Sequence, residues 1–588
     1  MKKKVADIKR FGLLLIGAIA MLCSCRDEVY PGSSPDSEEP MDIVINLKIK
    51  HSGNNFTASR SVFDPDPDKE NEYLLGFTPA ESAIDNLTLF MMKVDDDGSE
   101  EFEVLQTVQA TPSTDLEYDY EATFTLTGYT GVKHFYLGAN MNPNHINAFR
   151  TGNRVFDAGE EGSGHNIVGS LMEIDHNTGG NGAGSNIVMT GIVTDNDDKR
   201  DIYVGRTDAD IKEGQSSIQE INASVNMVRT VAKVLLTCVP KPGSDEGYVN
   251  VVDAKDAESN STGNTGWIQF DHVNYMLNVL NRKTYLDYRE EEDENGTTYL
   301  VDPNYKMSEL IGPSESGTYG IKDLAAYRKE FLYYDTQQMV EMLNTDVQER
   351  EEKSSEPCIT RQATVYDVDR VGANNATSTN HYTEGLYCTE NMVYRDGEMQ
   401  DIPDADFQSA NRYVTTRIMI GAKYTPKKIW MGDEQPQTFD SETGAMEALS
   451  GQEDTEDNPG GPVKYLDGTF WQDVKTKEYY SLEGMKKKLR EDSETEFNRF
   501  DGGWGYYYTY IDGDVSTDGV IGYDGKTRRW GIKRNHYYIL KVEKIIAPGS
   551  PFPGNETMRI HSELLDWVDK GESEVEVKVP QKSEGEEG

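Results

Sequence analysis

Residues 41–50, MDIVINLKIK, alternate between apolar and polar side chains. A period of two places successive side chains on opposite faces, which is the geometry of a β-strand and not of a helix. One face carries only apolar residues: Met41, Ile43, Ile45, Leu47 and Ile49. The other face carries Asp42, Val44, Asn46, Lys48 and Lys50. The pattern predicts a long β-strand with one apolar face.

The rest of the chain has the composition of a β-rich, loop-heavy protein. Short runs of Thr, Val and Ile and 33 tyrosines are separated by Asp-rich turns and 53 glycines. β-branched and aromatic residues favour strands, and glycine and aspartate favour turns. We therefore predict an all-β fold. A length of 588 residues indicates two or more domains.

The charge balance excludes one class of partner. The chain has 58 basic and 103 acidic residues, for a formal net charge of −45. Such a surface repels phosphate backbones, so we expect no nucleic-acid binding. Specific self-association would have to depend on burial and backbone pairing.

No motif predicts a metal or a cofactor. Beyond the first 25 residues, three cysteines remain, Cys238, Cys358 and Cys388, without C-x-x-C spacing. We interpret them as small buried residues and predict neither a zinc site nor a disulfide framework. Residues 514–519 resemble the start of a calcium-binding loop at Asp514, Ser516 and Asp518, but its twelfth position is Gly525 instead of glutamate. An acidic turn is the better interpretation.

Residues 1–25 have the organisation of a bacterial lipoprotein signal peptide. Basic residues precede an apolar run from Phe11 to Leu22, which is too short to span a membrane. The sequence Leu22-Cys23-Ser24-Cys25 resembles a lipobox. We predict that Cys25 is lipidated and that the precursor reaches the outer membrane and the cell surface.

The segment between this leader and the body of the protein contains a predicted cleavage site. The strand at 41–50 is followed by a Gly-, Asn-, Ser- and Asp-Pro-containing stretch that predicts an exposed loop. Arg60 lies in that loop, and no other arginine occurs between Arg26 and Arg150. An isolated arginine in such a loop is a candidate site for a trypsin-like protease.

A second alternating stretch lies near the C-terminus. Val575, Val577 and Val579 alternate with charged residues, among them Lys578. This pattern predicts a short strand with one apolar face. Three valines bury less apolar surface than the face at 41–49, so the N-terminal strand should win any competition for one groove.

The order of these features along the chain resembles the fimbrillin family of type V pili, most closely the Mfa-like subunits of short fimbriae. The resemblance is also carried by motifs along the whole chain: ESAIDNLTLFMMKVDDDG (81–98), HFYLGANMNP (134–143), SNIVMTG (185–191), NMVRTVAKVLL (226–236), GLYCTEN (385–391), RYVTTRIMIGAKYTPKK (412–428), RNHYYILKVEKIIAPGSP (534–551) and ETMRIHSELLDW (556–567).

The resemblance implies two transthyretin-like β-sandwich domains in tandem, at 61–220 and 221–572, with a donor strand and tail at 573–588. It implies that an Arg-specific protease cuts between Arg60 and Ser61 and removes residues 26–60 with the strand of Ile43, Ile45, Leu47 and Ile49. The strand of Val575, Val577 and Val579 from another copy would then fill the vacated groove. Partners would be further copies, anchor and tip subunits, and host or bacterial surface ligands.

Alternatives remain within and outside this family. A tip or accessory subunit is the alternative within it. A different class would be a monomeric, glycan-binding surface lipoprotein, for which Trp504 and Tyr508 in the stretch WGYYYTY are the candidate residues. No nucleophile elbow, His-Glu-x-x-His motif or dinucleotide loop is present, so we do not predict an enzyme.

Overall fold

The computed structural model describes most of the chain. The described residues are 40–51, 84–115, 118–152, 154–157, 172–173, 186–205, 218–238, 248–252, 264–287, 289–292, 298–300, 307–313, 319–344, 360–362, 364–365, 386–393, 413–451, 453–454, 464–510, 530–532, 534–542, 545, 547–553, 561–566 and 574–576.

Strands dominate the first part of the chain. They are β1 (Met41–His51), β2 (Asn86–Val94), β3 (Glu100–Gln109), β4 (Thr111–Pro112), β5 (Tyr120–Gly128), β6 (Gly131–Ala139), β7 (Val155–Asp157), β8 (Met172–Glu173), β9 (Asn186–Ile187), β10 (Met189–Asp195), β11 (Ile202–Val204), β12 (Ile218–Arg229) and β13 (Val231–Cys238).

Strands also dominate the remainder. They are β14 (Tyr248–Val252), β15 (Asn264–Asn278), β16 (Leu280–Asn281), β17 (Lys283–Tyr285), β18 (Glu290–Glu292), β19 (Thr298–Leu300), β20 (Ile311–Pro313), β21 (Tyr319–Ile321), β22 (Phe331–Leu332), β23 (Thr360–Gln362), β24 (Thr364–Val365), β25 (Leu386–Thr389), β26 (Asn391–Val393), β27 (Arg417–Pro426), β28 (Lys428–Trp430), β29 (Gln437–Thr438), β30 (Glu453–Asp454), β31 (Lys464–Tyr465), β32 (Phe470–Asp473), β33 (Tyr479–Tyr480), β34 (Phe497–Phe500), β35 (Trp504–Tyr510), β36 (Trp530–Ile532), β37 (His536–Val542), β38 (His561–Asp566) and β39 (Glu574–Glu576). The predicted all-β class is confirmed.

Short helices, which the sequence analysis did not predict, interrupt the strands. They are α1 (Pro143–Arg150), α2 (Met307–Leu310), α3 (Leu324–Glu330), α4 (Thr336–Asn344), α5 (Glu442–Leu449) and α6 (Leu482–Glu491). Local caps explain several of their starts: the side chains of Asn142, Asp323, Ser441 and Ser481 accept hydrogen bonds from backbone N–H groups of the first turn.

The chain divides into two compact units. The N-terminal unit comprises the described residues within Met1–His51, Ile84–Arg154 and Met189–Met227. The C-terminal unit comprises those within Val155–Val188 and Val228–Gly588. Strand β12 contains the boundary between Met227 and Val228.

The N-terminal unit is built on one large sheet whose strands share one hydrophobic core. Its strand order is β3-β2-β6-β10-β12-β1-β5-β4, and β11 pairs with β6. Side chains from β1, β5 and β12 share one hydrophobic cluster with side chains from β2 and β6, such as Leu89 and Phe135. Helix α1 covers the outer face of β2, where Phe149 stacks on Phe90 with ring centroids 4.5 Å apart.

The C-terminal unit places two principal sheets around a second core. One sheet has the order β24-β13-β37-β38-β39, and the other has the order β14-β15-β27-β35. Val234 of β13 and Tyr538 of β37 belong to the same buried cluster as Tyr275 of β15 and Ile420 of β27. The two sheets therefore pack face to face. The transthyretin-like strand order of either unit stays a prediction.

A buried ion pair in the C-terminal unit explains one of the sequence motifs. Arg534, which is 1% exposed, contacts Glu390 Oε2 through its Nε and Nη2 atoms, each at 2.9 Å. Its Nη2 atom also donates to Thr284 Oγ1 and to the Tyr285 carbonyl oxygen. The neighbouring Asn391 donates to the Val279 carbonyl oxygen and to Thr416 Oγ1. Through these contacts, Glu390 and Asn391 of the GLYCTEN motif connect residues 279–285, Thr416 and Arg534.

Replacing Glu390 by alanine should destabilise this unit strongly. The substitution leaves the buried Arg534 guanidinium without its carboxylate, and the loss of one partner of a buried pair costs about 3–5 kcal/mol. Urea unfolding would measure the change. Glu494→Ala, at an exposed position, is the matched control and should change the free energy of unfolding by less than about 0.5 kcal/mol. Equal effects of the two substitutions would contradict the assigned role of the pair.

Candidate strand-exchange groove

Strand β1 occupies an internal position in the sheet of the N-terminal unit. It pairs antiparallel with β5, with Met41 opposite Gly128 and Ile49 opposite Tyr120. It pairs parallel with β12, with Asp42 opposite Ile218 and His51 opposite Met227. Because both edges of β1 are bonded, its departure would leave the backbone groups of β5 and β12 without these ladder partners. We call the space between β5 and β12 the groove.

The inner face of β1 is part of the core. Ile43, Ile45, Leu47 and Ile49 are at most 1% exposed, and Met41 is 9% exposed. They share one cluster with apolar residues of the two flanking strands and of β2 and β6: Ala122, Phe124, Leu126, Ile221, Ala223, Val225, Met227, Leu87, Leu89, Phe135 and Leu137. The strand predicted at 41–50 is thus observed with the predicted face buried. Its removal stays a prediction.

The outer face of β1 carries polar contacts along the groove. Lys48 Nζ lies 2.9 Å from Asp115 Oδ2 and 4.9 Å from the centroid of the Tyr118 ring. The Asn46 amide donates to Glu220 Oε1 at 2.8 Å and accepts from Thr123 Oγ1 at 3.0 Å. These contacts distinguish one register of the strand from another, because each requires a particular side chain at a particular position.

At the C-terminal end of the chain, β39 pairs antiparallel with β38, with Val575 opposite Ser562. Strand β39 is the last in its sheet order, and β38 is its neighbour. A terminal strand held along one edge loses fewer ladder bonds on leaving its sheet than a strand held along both edges. Val577 and Val579 lie outside the described residues.

The remaining predicted positions fall in two groups. Cys25, Arg60, Ser61 and Asp514 lie outside the described residues. Trp504 and Tyr508 lie on β35. Trp504 is 8% exposed and packs in a hydrophobic cluster with Met276, Leu343 and Met419. Tyr508 is half-buried against that cluster, and the Arg417 guanidinium lies 5.6 Å from its ring. Trp504 therefore offers little surface to a sugar.

Within the part of the chain that the structure describes, no group of three or more His, Cys, Asp or Glu side chains is arranged to hold a metal ion. None of the helices described has the length and apolar character needed to cross a membrane.

The sequence analysis missed the strands that line the groove. In β5, Ala122, Phe124 and Leu126 alternate with exposed residues, and β12 shows the same period. This alternation identifies them as strands with one apolar face. It contains no information that would make them the neighbours of β1.

Replacing Ile45 by alanine should lower the free energy of unfolding of the N-terminal unit by about 2–5 kcal/mol, because the substitution leaves a cavity in a buried cluster. Denaturant unfolding of the N-terminal unit would measure it. Val44→Ala, on the outer face of the same strand, is the control and should cost less. If both substitutions lower the free energy of unfolding equally, the apolar face of β1 is not its main contact with the core.

Comparisons with known proteins gave structural neighbours. No protein-family model matches the chain, and no curated protein matches it. A candidate cell adhesion protein of Parabacteroides distasonis is 11% identical, covers 90% of this chain and 100% of its own, and has a TM-score of 0.35. The tip fimbrial protein Mfa3 of Porphyromonas gingivalis, with a C-terminal truncation, is 9% identical at the same coverage, with a TM-score of 0.29.

A candidate cell adhesion protein of Bacteroides eggerthii is 8% identical, covers 91% of this chain and 97% of its own, and has a TM-score of 0.31. The structural neighbours are thus candidate cell adhesion proteins and Mfa fimbrial proteins, the class that the sequence motifs resemble.

Proposed function

We propose that this chain is a structural subunit of a surface fimbria that supports adhesion and polymerises by donor-strand exchange. The chain is exported as a lipoprotein on Cys25, and a trypsin-like protease cuts after Arg60. Strand β1 then leaves, and the C-terminal strand of another copy enters the groove between β5 and β12. The lipid leaves with β1, so the mature subunit belongs to an extracellular filament.

The observation that supports the proposal is the deep burial of β1, together with the position of the candidate cleavage site between β1 and β2 in the sequence. The strand is bonded on both edges and contributes five side chains to one core cluster. The next described residue after His51 is Ile84, so the whole candidate cleavage segment separates β1 from β2. A cut in that segment would remove a central strand and leave the strands on both sides of it joined to the body.

Burial explains why the exchange requires a cut. An apolar side chain contributes about 1.5–3 kcal/mol on full burial, so the face of β1 binds the groove more strongly than three valines can. While it is attached, β1 also has a high effective concentration at the groove. Cleavage removes this advantage because the freed strand dilutes away.

The geometry of such an exchange produces a filament. The groove of each copy accepts the strand of the next, so donor and acceptor surfaces differ. A head-to-tail contact of this kind extends without limit unless its rotation closes a ring. Fimbrial anchor and tip subunits are the expected partners at the two ends of the filament.

Limited proteolysis tests the proposal. Treatment of the folded precursor with an Arg-specific protease should release one N-terminal fragment that ends at Arg60, and N-terminal sequencing of the body should begin at Ser61. Incubation at high concentration should then produce a ladder on a non-boiled gel, with the undigested precursor as control. A cleaved body that stays monomeric at high concentration would overturn the proposal.

A further inference from the structure

We propose a direction and a register for the incoming strand. Residues 573–580 of a second copy enter the groove in the direction of β1, and Val575, Val577 and Val579 take the places of Ile45, Leu47 and Ile49. This inference rests on the proposed function and specifies how its partner is recognised.

The backbone hydrogen bonds of the groove do not determine the direction of the incoming strand. Because β1 is parallel to β12 and antiparallel to β5, the two flanking strands run in opposite directions. An incoming strand is therefore parallel to one neighbour and antiparallel to the other, whichever way it enters. Both directions form the same two types of ladder. The side chains must decide between them.

Pro580 restricts the register. Proline has no backbone N–H and removes a bond from any internal ladder. In the proposed register, Pro580 takes the place of Lys50, where the pairing with β5 has ended and only the last two positions of the β12 ladder, Lys50 and His51, remain. Shifting the strand by two residues toward Met41 would place the proline at Lys48, and a second shift would place it at Asn46. Both of those positions are internal to the two ladders.

Charge distinguishes the proposed arrangement from the reversed one. In the proposed register, Lys578 takes the place of Lys48, opposite Glu121 and within reach of Asp115 and the Tyr118 ring. The reversed strand that keeps Pro580 outside the ladder puts Lys578 at Asp42, opposite Thr127. It also puts Glu572 at Lys48, directly opposite Glu121. A like-charge pair directly opposite is destabilising.

The same register explains why the incoming strand is the weaker occupant. Glu576 takes the place of Asn46, whose amide donates to Glu220 at 2.8 Å. A carboxylate in that place loses this bond and faces the Glu220 carboxylate, although Thr123 can still donate to it. Ser573 takes the place of the fully buried Ile43 and fills less of the core.

Disulfide trapping in the cleaved, polymerising chain tests the register. Lys578→Cys is combined with Glu121→Cys, Thr123→Cys or Thr127→Cys, and the single variants are controls. Cross-linked dimer should form most with Glu121→Cys, because residue 121 lies opposite position 48. Thr123→Cys would report a two-residue shift, and Thr127→Cys the reversed strand. Preferred trapping at residue 123 or 127, or polymers without trapping at residue 121, would overturn the register.

Two further substitutions should make the polymer more stable. Ser573→Val should slow dissociation of the polymer about tenfold, because it fills the apolar place of Ile43. Glu220→Gln should slow it about threefold, because it removes the like-charge contacts with Glu574, which lies directly opposite, and with Glu576. No gain from either variant would also overturn the register. A chain that lacks residues 573–588 and still polymerises would overturn the proposed function itself.

Discussion

Replacing Arg60 by alanine is expected to hold the chain as a monomer with β1 in its groove. Without cleavage, β1 stays both bonded along its two edges and covalently attached, so the weaker C-terminal strand of another copy cannot displace it. Polymer on a non-boiled gel should fall to the level of the untreated precursor. N-terminal sequencing should show that the surface form keeps residues 26–60.

Arg60→Lys provides a matched control. Trypsin cuts after lysine as well as arginine, so this variant should polymerise after trypsin treatment and stay monomeric with an Arg-specific protease. If Arg60→Ala polymerises like the parent chain after treatment with the Arg-specific protease, cleavage at this residue does not control the exchange.

Deleting residues 573–588 should produce a chain terminator. The truncated subunit loses the strand that it donates, while its own groove between β5 and β12 is unchanged. After cleavage at Arg60 it should accept one donor from a full-length copy and extend no further. Mixing it with parent subunits should shorten the ladder in proportion to its share, which a non-boiled gel or electron microscopy would measure.

A shorter deletion separates the strand from the acidic tail. Removing only residues 581–588 keeps Val575, Val577 and Val579 together with Pro580, and polymers should form as in the parent chain. If both deletions abolish polymerisation, the acidic tail is required and the apolar strand is not sufficient. Unchanged ladders with the longer deletion would contradict donor-strand exchange.

Much of the strand content was predictable from local patterns. Motifs noted in the sequence lie on observed strands: NLTLFMMKV forms β2, RIMIGAKYTP forms β27 and HYYILKV forms β37. Their apolar and β-branched residues favour a pleated, buried surface irrespective of the partner strand.

The helices were missed for a physical reason. Helix α6 contains Met485 and Leu489 among lysines, and α5 contains two alanines and one leucine. Segments of this length are marginal as isolated helices, and packing on a sheet stabilises them. Their caps at Ser441 and Ser481 are the local signal that was present.

By itself, the sequence determined that residues 41–50 form a strand and which of its faces is buried, because a period of two is a property of the strand alone. Only the tertiary structure decided that this strand is internal, with β5 on one side and β12 on the other. Strand β12 begins at Ile218, far along the chain, and strand pairing depends on complementary packing between distant segments. The polar contacts of Asn46 and Lys48 follow from that placement, and so does the groove that β1 would leave behind.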